Sequence, residues 1–81
     1  MRYTELLDNS DNMIFEGDRL TFTSLSGNHS EYRVRFGFYT IGDATVYGFC
    51  LVESIYNTLH HMPEPDGLGR LKFFNETRGL A

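Results

Sequence analysis

A chain of 81 residues, 41% apolar and 15% aromatic, can fill one small core and has no room for a second, so residues 1–81 read as a single domain. Its formal net charge of −4 opposes general attraction to phosphate backbones and anionic membranes, and favours a partner with a basic surface. The single cysteine, Cys50, excludes an internal disulfide and a cysteine-rich zinc site.

In chain order, Arg2 to Asp8 can form one or two helical turns with Tyr3, Leu6 and Leu7 on one side. Asn9-Ser10-Asp11-Asn12 is a turn cluster. Two strands follow, Met13–Glu16 and Arg19–Thr23, separated by Gly17-Asp18. The same dipeptide recurs as Gly42-Asp43 between Tyr39–Ile41 and Ala44–Val46. Gly accepts positive φ at the first central position of a two-residue hairpin turn, so both steps predict hairpins.

Residues 32–41 alternate, with Tyr32, Val34, Phe36 and Phe38 on one face and Arg33, Arg35, Gly37, Tyr39 and Ile41 on the other. Thr45 to Leu51 is a fourth, buried strand. Val52, Ile55, Tyr56 and Leu59 then fall at i, i+3, i+4 and i+7, which predicts a helix laid on the sheet and ended by Pro63. Leu71–Phe74 is either a strand or a helical turn, and 75–81 is expected to fray. The expected fold is α+β: a four-stranded antiparallel meander packed against one main α-helix, with a short N-terminal helical turn.

No candidate chemistry assembles into a catalytic set. His60, His61, Glu64 and Asp66 are close in sequence, but neighbouring helical histidines point about 100° apart, and the spacing matches no recognised metal site. Cys50 stands in an apolar run without an evident base, as a small core residue does. Gly67-Leu68-Gly69-Arg70 lacks the spacing of a phosphate loop. The expectation is a protein that is not an enzyme and carries no metal or cofactor.

The stretch Arg35-Phe36-Gly37-Phe38-Tyr39-Thr40-Ile41 is similar to an RNA-stacking strand, but it lacks the glycine after the leading Arg and an upstream partner strand. Alternation assigns Phe36 and Phe38 to the core, so nucleic-acid binding is a minor alternative that their exposure would reopen. Glu5, Asp8, Asp11, Glu16 and Asp18 gather acidic charge in the first 18 residues. They form the expected protein-binding surface, joined by Arg33, Arg35 and Tyr39 from the polar strand face. Self-association through an edge strand, giving a homodimer, is the other alternative.

Leu51-x-Glu53-Ser54-x-Tyr56, the later Gly67-Leu68-Gly69-Arg70-Leu71 and the opening Met1-Arg2-Tyr3 resemble a small phage anti-CRISPR family directed at the type I-F surveillance complex. The likeness covers about a quarter of the chain, and Pro63-Glu64-Pro65-Asp66 departs from it. It implies an antiparallel sheet with helices, no catalysis, and inhibition by contact with protein subunits; it assigns no contact residue here. No apolar run approaches the roughly 18 residues of a membrane span, and no signal-peptide pattern opens the chain. The expected location is cytoplasmic, in the host cytoplasm if a phage encodes the chain.

Overall fold

The computed structural model describes residues 1–77. Over that span the fold is all-β: β1 Tyr3–Leu7, β2 Met13–Phe15, β3 Arg19–Thr23, β4 His29–Ile41, β5 Ala44–Glu53, β6 Leu59–His61 and β7 Phe74–Asn75. β1 and β2 make a small sheet, and the other five strands lie in the order β6-β5-β4-β3-β7. Consecutive strands from β3 to β6 are neighbours, as short connections dictate, and β7 returns to the free edge of β3.

The α+β expectation is overturned at both of its helical segments. The N-terminal turn is instead β1, paired antiparallel with β2. Its register slips between Tyr3 and Leu7, where Glu5 bulges out at φ 65°. Thr4 holds the bulge: its hydroxyl donates to the Ile14 carbonyl at 2.8 Å and accepts the Leu6 N–H at 3.1 Å.

The expected main helix is a second hairpin. Val52 lies near the end of β5, which closes at Glu53; the chain turns through residues 54–58, and Leu59 returns to pair with Val52 in β6. Asn57 takes φ 55°, and the Glu53 N–H donates to the Thr58 carbonyl at 2.9 Å. Val52, Ile55 and Thr58 are β-branched, which weakens a helix. Two members of the supposed apolar stripe, Ile55 and Tyr56, stand in solvent.

Gly17-Asp18 also differs from expectation. It is a corner that carries the chain from the small sheet to the large one. Gly42-Asp43 is the expected two-residue hairpin turn, with Gly42 at φ 61°. Residues 75–77, assigned to the tail, are built in: Asn75 is buried and the Glu76 N–H donates to the Arg19 carbonyl at 2.9 Å. The rest of that tail, 78–81, lies outside the described residues.

The core is Ile14, Leu20, Val34, Leu51 and Leu71, with Leu6, Tyr32, Phe49, Met62 and Phe73 around it. It forms on the Tyr32/Val34 face of the sheet, the face that alternation selected. The cover is not a helix. It is the β1–β2 sheet together with the loop 62–73, which is tied to β1 by Leu7 N–H to Gly69 carbonyl and Leu71 N–H to Leu7 carbonyl bonds, both 2.8 Å.

Candidate functional site

The cover is shorter than the strand beneath it. A strand of 13 residues at about 3.3 Å each spans roughly 40 Å, as long as the longest axis of the molecule, 37 Å. β3 pairs with β4 only as far as Arg33, and β6 pairs with β5 only from Cys50 onward. The outer halves of β4 and β5 therefore project as a two-stranded arm closed by Gly42-Asp43.

One face of this arm is an aromatic ladder. Phe36 lies opposite Phe49 and Phe38 opposite Tyr47. The two-residue turn makes Ile41 and Ala44 a hydrogen-bonded pair, so these aromatic pairs fall at the alternate positions, where side chains approach most closely. Ring centroids are 4.7 Å apart for Phe36–Phe49, 5.1 Å for Phe36–Tyr47 and 4.7 Å for Phe38–Tyr47. The Arg2 guanidinium caps the inner end, 4.2 Å from the Phe36 ring centre. Phe36 and Phe49 are half-buried, whereas Phe38 is 79% and Tyr47 58% exposed. Alternation found the right face, but the expectation that Phe38 is core fails.

The opposite face has a different character. Gly37 faces Gly48, at φ 144° and 151°, with open space where each Cβ would stand. Arg35, Cys50 and His61 sit in one row across β4, β5 and β6. The Tyr39 hydroxyl reaches His61 Nδ1 at 3.1 Å, although Tyr39 is opposite Val46 and His61 opposite Cys50. His60 points to the other face and meets Glu53 at 3.3 Å. Among the described residues no group of three or more His, Cys, Asp or Glu could hold a metal ion.

Cys50 faces His61 across the strands, a relation hidden in the sequence. Burial pushes its thiol pKa up, and the opposing pull of Arg35 is the weaker. A thiol reagent should label Cys50 in the native protein roughly tenfold or more slowly than in denaturant. Equal rates would show that the thiol is open to solvent.

The acidic residues expected to share a surface are dispersed. Glu5 is exposed on the β1 bulge, Asp11 is exposed and 3.8 Å from Arg70, and Glu16 is half-buried beside Arg2. Asp8 and Asp18 are turned fully inward. The Asp8 carboxylate accepts the N–H groups of Ser10 and Asn12 on one oxygen, and those of Asn75 and the Asn12 side chain on the other, at 2.8–3.1 Å. Asp18 accepts the Phe15 N–H at 2.9 Å and the Asn75 side-chain N–H at 2.8 Å. These two carboxylates tie chain ends together. Arg33 and Arg35 are exposed, with Arg33 donating to the Gly17 carbonyl at 3.1 Å.

A cleft of about 570 Å³ lies between Phe22, Tyr32, Phe73 and the Pro63–Asp66 loop. A ligand site needs a few convergent polar groups. Here Asp66 is committed to its own loop: it accepts the N–H groups of Leu68 and Arg70 and the Arg70 guanidinium, at 2.8–3.2 Å. The Arg70 and Leu68 backbone N–H groups hold its carboxyl below the usual range. The aromatic arm is the stronger candidate.

Comparison with known protein families, with curated proteins and with solved structures gives no match. Among the described residues no helix is long and apolar enough to cross a membrane.

Proposed function

We propose that this chain is a non-catalytic protein-binding module whose docking surface is the aromatic face of the β4–β5 arm. The observation that carries the reading is the ladder Phe36, Phe38, Tyr47 and Phe49, continuous with the core yet uncovered at its outer end. Aromatic rings and arginine supply most binding energy at protein interfaces. The ring contacts and Arg2 hold this surface in place before binding, which lowers the ordering cost on association. Glu16 beside Arg2, Asp43 at the tip and the net charge of −4 favour a basic partner. An inhibitor that covers a subunit of a nucleic-acid-processing complex, the class implied by the anti-CRISPR resemblance, would use a surface of this kind.

The exposure of Phe38 also favours a second reading, stacking of single-stranded nucleic acid. It is weaker because alternation puts Arg33 and Arg35 on the face opposite the rings. Bases and phosphates could not both be met from one side; among the described residues Arg2 is the cation seen against the ladder.

The test is capture of partners from host lysate by the tagged chain and by Phe38→Ser with Tyr47→Ser, after melts show equal stability. A stoichiometric protein held by the first and lost by the second is expected. Equal retention by both would move the site off the arm. No protein, with tight binding of an oligonucleotide instead, would favour stacking.

A further inference from the structure

The arm has an edge as well as a face. Because Arg35, Gly37, Tyr39 and Ile41 exchange bonds with β5, the N–H and C=O groups of Phe36, Phe38 and Thr40 point outward along β4. The edge has a definite inner end. The Val34 N–H donates to the Asp18 carbonyl at 3.0 Å, and its carbonyl accepts the Gly17 N–H at 2.8 Å. From Phe36 to Ile41 there is no charge, proline or bulge, the devices by which natural proteins guard an edge. Among the described residues no strand pairs with it.

We infer that this edge pairs antiparallel with the same edge of a second copy, giving a two-fold dimer with a four-stranded arm sheet. The inference rests on the proposed binding function only in sharing the arm. The second copy is chosen by length and charge. Its own β4 edge has the same span, and its tip must stop short of Gly17-Asp18 at Val34. The register that meets both limits sets Tyr39 against Tyr39 on the axis, with Phe38 opposite Thr40. It brings Asp43 of each copy to Arg35 of the other. No like charges oppose one another, so each subunit gains a cross-copy ion pair. The second copy's Ile41 falls opposite Gly37, where open space awaits a side chain. The outer edge of β5 offers no such match, since Asp43 would there lie opposite Phe49. Pairing about a two-fold axis normal to the sheet also keeps both ladders on one side, doubling the surface for a partner.

The test is sedimentation equilibrium of the full chain over a wide concentration range. The mass should rise from 9.3 kDa toward twice that value. Thr40→Pro removes an outward N–H without touching the bonds to β5, and should leave a monomer. Arg35→Glu alone and Asp43→Lys alone should each weaken the dimer about tenfold or more, because the two-fold axis makes either substitution break both ion pairs and set two like-charge contacts in their place. The two together should restore it. A wild-type monomer at every concentration, or a dimer indifferent to Thr40→Pro and to the charge swap, overturns the inference. A monomeric Thr40→Pro that still captures the lysate partner would leave the binding function standing. Loss of capture in Phe38→Ser with Tyr47→Ser would not bear on the edge if those chains still dimerise.

Discussion

Asp8→Asn is expected to lower the stability of the domain by about 3 kcal/mol or more, read as a shift of the urea midpoint at neutral pH. Asp8 is fully buried and each carboxylate oxygen accepts two N–H donors. An asparagine keeps one acceptor oxygen and turns an NH₂ group toward the other donor pair. Each buried donor left unsatisfied costs about 1–3 kcal/mol, and a domain of this size has only about 4–12 kcal/mol in all. The loss reaches across the chain, because Asn75 joins Asp8 by its backbone N–H and Asp18 by its side chain. Burial alone would raise the Asp8 pKa, but the four hydrogen bonds outweigh it and hold the carboxyl below its usual value. A group depressed in the folded state stabilises fully above its unfolded pKa of about 3.9, and that contribution fades as pH falls through the folded value. The gap between wild type and Asp8→Asn should therefore be constant above about pH 5 and narrow below about pH 4. A gap equally wide at low and neutral pH would show that the carboxylate charge does not hold this junction.

Legibility in the sequence followed the range of the forces involved. The alternation of residues 32–41 and the Gly42-Asp43 turn are local signals, and both are present as read. The helix expected after Leu51 failed because spacing alone cannot separate a helix from two strand ends joined by a turn. Val52 and Leu59 do share a neighbourhood, but as cross-strand partners. Thr4, whose hydroxyl pins the bulge to Ile14, likewise acts only through a strand ten residues away. From the sequence alone Asp8 reads as a surface charge. Its local half, the Asp8-Asn9-Ser10 turn, is a common use of Asp, but its partner Asn75 stands 67 residues on. The ladder face was readable from period two. The extent of its cover was not, because that is set by the β1–β2 sheet and the 62–73 loop.

The boundary of that cover sets the second large effect. Leu51→Ala should cost about 3–4 kcal/mol, since Leu51 is buried among Ile14, Leu20, Val34 and Leu71 and a cavity would remain. Phe36→Ala should cost about 1–2 kcal/mol, through lost contacts with Arg2, Phe49 and Tyr47 around a half-buried ring. Phe38→Ala should change stability by no more than about 0.5 kcal/mol, as expected for a side chain already in solvent. Urea melts of the three variants give the order directly. A loss at Phe38 as large as that at Leu51 would mean that the outer ladder is covered in solution. Dilution then identifies the cover: a second copy makes the Phe38 effect shrink as the protein is diluted, because association stabilises by mass action, whereas a contact within one chain leaves it unchanged.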